Sequence, residues 1–206
     1  MHCLQAVPKM NNKQAIRFMM FALGSLLLGL LMSSCVNLKP KPDPVKLYAL
    51  GPIESQPTHN TQRVAIYVAR PDLPAYLDGK RLQYRNPNGE IDELGKARWA
   101  EPLEEGIARS VSEFLMAKQP VSGFYPWPNR VRDSSELLLK FYKLGALSDG
   151  TIRMVVDWEL RDGVNIQQSG CFESSAIGWD QGNAESLVAG LNQALQQLAE
   201  SLEEKF

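Results

Sequence analysis

Histidine and cysteine are scarce in this chain. Its 206 residues include two histidines, His2 and His59, and three cysteines, Cys3, Cys35 and Cys171. So few ligands exclude a His/Cys zinc cluster and leave little from which to build a nucleophile–imidazole–acid triad. A GxSxG elbow, an HExxH helix and a Gly-Lys-Ser/Thr phosphate loop are all missing. There is no excess of basic charge: the formal net charge is −1. Lys9, Lys13 and Arg17 are the only charged residues among the first 34, and without them 19 basic side chains face 23 acidic ones, a net −4. That balance offers nucleic acid no electrostatic footprint. There is also no apolar run of the roughly 20 residues that a membrane-spanning helix needs. What is present is globular: 44% hydrophobic and 22% charged residues, which excludes wholesale disorder.

The longest apolar stretch is FMMFALGSLLLGLLM, residues 18–32, preceded by a basic segment and followed by Ser33 and Ser34. Basic region, short apolar region and small residues in that order make a secretory signal. Cys35 comes next, and LMSSC resembles the lipobox of bacterial lipoproteins, with Met32 where Leu is commonest. The resemblance implies cleavage before Cys35 and acylation of its sulfur and amino group. Several acyl chains, at ~0.8 kcal/mol per buried methylene, make a durable anchor. Val36 stands where lipoproteins retained in the inner membrane carry Asp, so the same resemblance implies the outer membrane. The sequence therefore divides into a signal peptide (1–34), a lipidated tether (35–45) and a folded region (46–206). Pro40, Pro42 and Pro44 alternate with Lys39, Lys41 and Asp43, which favours extended polyproline geometry over a hydrogen-bonded ladder.

The folded region reads as one α/β domain: a mixed, largely antiparallel sheet packed by two long helices. VKLYAL (45–50), RVAIYVAR (63–70), RLQYR (81–85) and EIDEL (90–94) are strands, the last two joined by the turn Asn86-Pro87-Asn88-Gly89. Residues 102–118 are a helix, with Pro102 in its first turn and Leu103, Ile107, Val111, Phe114 and Leu115 on one face. ELLLKFYKL (136–144) and TIRMVVDWEL (151–160) are strands, and Asp162-Gly163 turns the chain into an extended run over 165–176. The final helix runs from Ala184 to Glu203 behind an Asn183 cap, with a leucine-rich stripe that packs on the sheet. Cys171 reads as a small buried hydrophobe.

No catalytic, metal or cofactor constellation emerges. His59 sits in a polar loop, and the pairs Glu104/Glu105 and Glu203/Glu204 are adjacent, so neither shares one helical face. Asp157 and Glu159 share a strand face, but nothing in the sequence places a cleft beside them. Binding character is clearer. LPAYLDGKRLQYR (73–85) mixes Tyr76, Leu77 and Tyr84 with Lys80, Arg81 and Arg85, and FYPWP (124–128) sets Tyr125 and Trp127 among prolines in a loop. Rigid aromatics beside cations suit partner docking, and equally suit plugging the ends of a sheet.

PVKLYAL, LPAYLDGKRLQYR and ARWAEPLEEGIARSVSEFL, in that order, resemble the PqiC-like family of ABC-type transport auxiliary lipoproteins, which serve paraquat-inducible lipid transport. RWAEPL is the most specific stretch: Arg98, Trp99, Ala100, Glu101, Pro102 and Leu103. YPW at 125–127 adds to the match, whereas Gly79-Lys80 replaces the family's usual Arg-Pro after Leu77-Asp78. The resemblance implies a non-enzymatic outer-membrane lipoprotein held by acyl chains on Cys35. It implies a periplasm-spanning MCE-domain protein as partner. Self-assembly into a homo-oligomer is left open. Two other classes stay open at this point: a lipid-binding carrier and, against the missing imidazole, a periplasmic hydrolase.

Overall fold

In β7, the strand Thr151–Asp162, the period-two alternation of the sequence becomes two unlike faces. Ile152, Met154, Val156 and Trp158 are buried, whereas Arg153, Asp157 and Glu159 on the other face are partly exposed. This is a computed structural model, and it describes residues 44–52, 64–118 and 122–205, together with 13, 16, 17 and 19–25. The signal peptide, Cys35, the tether and His59 otherwise lie outside the described residues. Residues 19–25 are helical, and no helix among the described residues is long and apolar enough to cross a membrane.

Pro44–Phe206 form one unit. In chain order it contains β1 (Lys46–Tyr48), β2 (Val64–Val68), a single 3-10 turn (Ala75–Leu77), β3 (Arg81–Arg85), β4 (Ile91–Trp99), α1 (Leu103–Lys118), β5 (Ser122–Pro126), β6 (Ser135–Ala146), β7, β8 (Asn165–Glu173), β9 (Ile177–Gly178) and α2 (Ala184–Glu203). The α/β class is as the sequence indicates, but the strands form two sheets instead of one. A three-stranded sheet has the order β1-β4-β3; a six-stranded sheet has the order β5-β2-β6-β7-β8, with β9 on β7. β1 lies parallel to β4, and β2 lies parallel to both β5 and β6; the other pairs are antiparallel. The division has a local cause. β2 pairs with β6 only over Ser135–Leu137, and Asp72 extends that edge by bonding Leu139 and Phe141. Beyond Phe141 the edge of β6 has no ladder partner among the described residues. The β3–β4 hairpin keeps its own ladder, set by an Asn86 side chain that accepts from the N–H groups of Asn88 and Glu90.

Both helices bury the faces their periodicity marks. Ile107, Val111 and Leu115 of α1 are fully buried, as are Leu195, Leu198 and Leu202 of α2. The Asn183 side chain caps α2 by accepting from the N–H groups of Glu185 and Ser186, which is worth ~1 kcal/mol. α2 approaches β7 closely at Gly190, where a Cβ would lie 2.3 Å from Ile152 Cδ1. The leucine stripe is thus core, packed against both the sheet and α1.

Three sequence readings change. FYPWP is not a loop: Ser122–Pro126 is an edge strand beside β2, where a terminal proline is tolerated, and Phe124 enters the core. β4 extends past EIDEL to Trp99, so Trp99 closes a strand just ahead of the helix. Cys171 is exposed, because β8 is the outermost strand and carries small and polar side chains along nearly its whole length.

Trp99 is only 5% exposed and packs with Leu103 and Ile107 at the junction of β4, α1 and α2. Truncating a buried tryptophan costs ~3–5 kcal/mol. Trp99→Ala is therefore expected to lower the melting midpoint by roughly 10 °C, read by circular dichroism; an unchanged melt would place Trp99 outside the core.

Candidate functional site

The RWAEPL segment is structural. Glu101 accepts from Arg109 at 2.5 Å, and Arg109 also pairs with Glu113 and donates to the Leu50 carbonyl at 2.7 Å. Burial works against the Arg109 charge, but the two carboxylates outweigh it and hold the guanidinium above its ordinary range. The contact with Leu50 ties the chain after β1 to α1. The neighbouring Gly51 N–H donates to Asn192 on α2 at 2.8 Å. Gly51 has φ +106°, and a Cβ there would lie 2.8 Å from Glu113 Oε2, so the close approach requires glycine. Pro102 precedes α1, and the Arg98 guanidinium donates to the carbonyls of Gly95 and Ala97. Ala100 bonds through its N–H to the Tyr48 carbonyl, and Leu103 is buried.

The aromatic and basic candidates fall into three places. Tyr76, Leu77 and Tyr84 come together in a cleft of about 210 Å³ between β3, the 3-10 turn and the far half of β6. Arg81 is engaged across the strands by Glu93. Lys80 is exposed and has no ion pair among the described residues. Tyr125 and Trp127 lie at the opposite edge of the six-stranded sheet. Trp127 is half-buried under the Arg70 guanidinium, which sits 5.3 Å from the ring centre and also pairs with Glu104. The candidates of the two sequence stretches therefore do not share one surface.

Arg85 lines the cleft as well, and with it stand walls that sequence reasoning missed: Gln83, Ile91, Tyr142, Lys143 and Arg153. A β-bulge creates much of it. The β6–β7 register shifts between Phe141 and Lys143, so buried residues fall at 137, 139 and 141 before the shift and at 144 and 146 after it. The extra residue leaves Tyr142 and Lys143 both facing outwards. In the sequence, the only sign of this is the break in alternation between Phe141 and Leu144. Tyr84 meets the buried Trp179 edge-on, with centroids 5.4 Å apart. Burial pushes the Tyr76 phenol up from its ordinary value, and the nearby Arg85 opposes that rise.

The carboxylate face of β7 gives no nucleophile. Asp157 accepts from the Tyr142 hydroxyl at 2.9 Å. A hydrogen bond from Cys171 to the same carboxylate pushes the thiol above its ordinary range. A reactive cysteine needs the reverse shift, towards thiolate. Glu159 is occupied by Arg161. Among the described residues no cluster of three or more His, Cys, Asp or Glu could hold a metal ion. Since Asp157 disfavours the thiolate, Asp157→Asn should move the pH midpoint of Cys171 alkylation downwards and speed the reaction at neutral pH. Iodoacetamide kinetics check this, and an unchanged or higher midpoint would contradict it.

Comparison with known proteins places the domain in a family. The model of the ABC-type transport auxiliary lipoprotein component family matches residues 47–203. No curated protein sequence matches. One solved structure, described only as an uncharacterized protein, superposes with a TM-score of 0.64 at 17% identity, covering 78% of this chain and 98% of that one. A protein from Xanthomonas campestris gives a TM-score of 0.58 at 18% identity, covering 76% and 92%. At these identities the two structures speak for the fold alone. The family match runs from β1 through the end of α2, and on it the chain belongs to the ABC-type transport auxiliary lipoprotein components.

Proposed function

We propose that the chain is an outer-membrane lipoprotein, acylated on Cys35 and facing the periplasm. Its folded domain docks a periplasm-spanning MCE-domain protein of a lipid-transport system and performs no catalysis of its own. One observation carries the reading: the family match takes in the folded domain from its first strand to its last helix. The address segment, Cys35 and the tether are left outside it, with Lys46 and the last three residues. The tether suits the role, since polyproline geometry of ~3 Å per residue holds the domain off the bilayer surface.

Within the domain the reading favours the 3-10 turn and the loop after it as the docking rim. Tyr76 is 40% exposed there, and Lys80 next to it is the charge left free when Arg81 is held by Glu93. Rim charges guide encounter and register even where they add little affinity. Trp127 is already covered by Arg70 on one face, which makes it the weaker anchor.

The test separates anchoring from docking. Cys35→Ala should block acylation and processing, leaving a larger chain outside the outer-membrane fraction. A variant that kept wild-type mobility and location would refute the anchor. Lys80→Glu should mature and melt like the wild type but capture the MCE-domain partner several-fold more slowly. Capture at the wild-type rate would remove the turn from the docking rim.

A further inference from the structure

Three buried side-chain polar atoms have no hydrogen-bond partner among the described residues: Gln83 Oε1, Arg153 Nε and Trp179 Nε1. They are not scattered. Gln83 and Arg153 both line the cleft between β3 and β6–β7, and Trp179 packs edge-on against Tyr84, another lining residue. Buried polar groups in folded proteins are nearly always paired, so orphans gathered at one cleft mark a place where something else supplies the partners.

The charge of the cleft is just as uneven. Arg85, Lys143 and Arg153 line it, and no carboxylate does, in a chain whose charge beyond the first 34 residues is −4. Lys143 has no ion pair among the described residues. Two acids lie near Arg153, Glu173 at 3.9 Å from its Nη1 and Asp149, whose carboxyl pKa it helps to lower, yet neither pairs with Nε. Around these cations the mouth is apolar and aromatic: Tyr76, Ile91 and Tyr142 are 40%, 38% and 51% exposed. A cluster of cations under an apolar rim is the complement of a molecule with an anionic head and a hydrocarbon chain.

We infer that this cleft binds an anionic amphiphile, its phosphate head held by Arg85, Lys143 and Arg153 and its chain laid against Ile91 and Leu147. Arg153 Nε donates to the head. Gln83 Oε1 accepts a hydrogen bond from a hydroxyl beside the anion, such as a glycerol carries. The volume, about 210 Å³, equals roughly seven waters at ~30 Å³ each. It admits a head group and the first methylenes but not two whole acyl chains. The site therefore grips one end of an amphiphile instead of enclosing it. The inference does not depend on the docking reading: the cleft can be filled whether or not the turn beside it meets a protein.

The test uses the full lipidated chain in cells grown on 32P-orthophosphate, with benzoylphenylalanine incorporated in place of Tyr142 or, separately, of Ile91. Val164 is the control position, 93% exposed and outside the cleft lining. The acylated Cys35 itself carries no phosphorus, so label on the irradiated protein reports a captured ligand. Label is expected from the Tyr142 and Ile91 positions and not from Val164. Arg85→Glu with Lys143→Glu should reduce it about tenfold, as loss of two charge-assisted contacts implies, while the melting midpoint stays within a few degrees. Equal label at Val164, or label that survives the charge reversals, overturns the inference. So does an unlabelled band, the result if the cations hold only free phosphate, which offers no C–H bond for insertion. A protein adduct without 32P at both cleft positions would likewise overturn it, in favour of a peptide ligand.

Discussion

The pairing of β6 with β7 is the constraint on which the rest of the structure depends. These two twelve-residue strands are antiparallel from Glu136–Arg161 to Ala146–Ile152. One face of the pair buries Leu137, Leu139, Phe141, Ile152, Met154 and Val156. Each fully buried aliphatic side chain contributes on the order of 1.5–3 kcal/mol relative to exposure. The long pair in turn dictates where other strands can attach. β8 and β9 share the far edge of β7, whereas β2 holds the near edge of β6 for only three residues. The bulge at Tyr142 then turns β6, and the separate sheet of β1, β4 and β3 fits against its far half. The cleft is the seam left between two sheets that meet without a shared ladder.

The RWAEPL segment serves this assembly. Glu101 positions Arg109, and Arg109 reaches the Leu50 carbonyl, while Trp99 fills the junction between β4 and the helices. A partly buried ion-pair network of this kind adds modest stability but strict geometry: removing one partner would leave a charge uncompensated. The Trp-Ala-Glu-Pro run is thus tied into the fold by its own contacts. The surface is left to the segments flanking it, above all the turn at Tyr76 and the bulged strand.

What the sequence reveals and what it hides follow from how local the determinants are. The alternation of TIRMVVDWEL, the Asn86–Gly89 turn, the Asn183 cap and the α2 stripe are set by neighbours along the chain, and each appears where the sequence places it. The split into two sheets is set by the short pairing of β2 with β6, a long-range fact with no local sign. Cys171 was misread for the same reason: its small size suits a core, but its strand lies at an edge. Tyr125 falls within a strand because its partner is β2, some 58 residues earlier by register with Tyr67. Of the site, Tyr76, Leu77 and Tyr84 stood out as aromatic and apolar residues beside cations. Lys143 and Arg153 did not, because only the bulge and the meeting of the sheets bring them to Arg85.

These features describe a domain built to present a surface at the end of a lipid anchor. Among the described residues its carboxylates are paired or solvated, and Asp157 raises the pKa of the Cys171 thiol, away from a reactive thiolate. The exposed aromatics and unpaired cations gather on one side of the sheet junction. The most direct measurement of the central claim is crosslinking of the native lipoprotein in intact cells, followed by mass-spectrometric identification of the attached protein and its membrane fraction. The account predicts an MCE-domain protein attached to a chain recovered with the outer membrane. Attachment only to inner-membrane proteins without such a domain would contradict it.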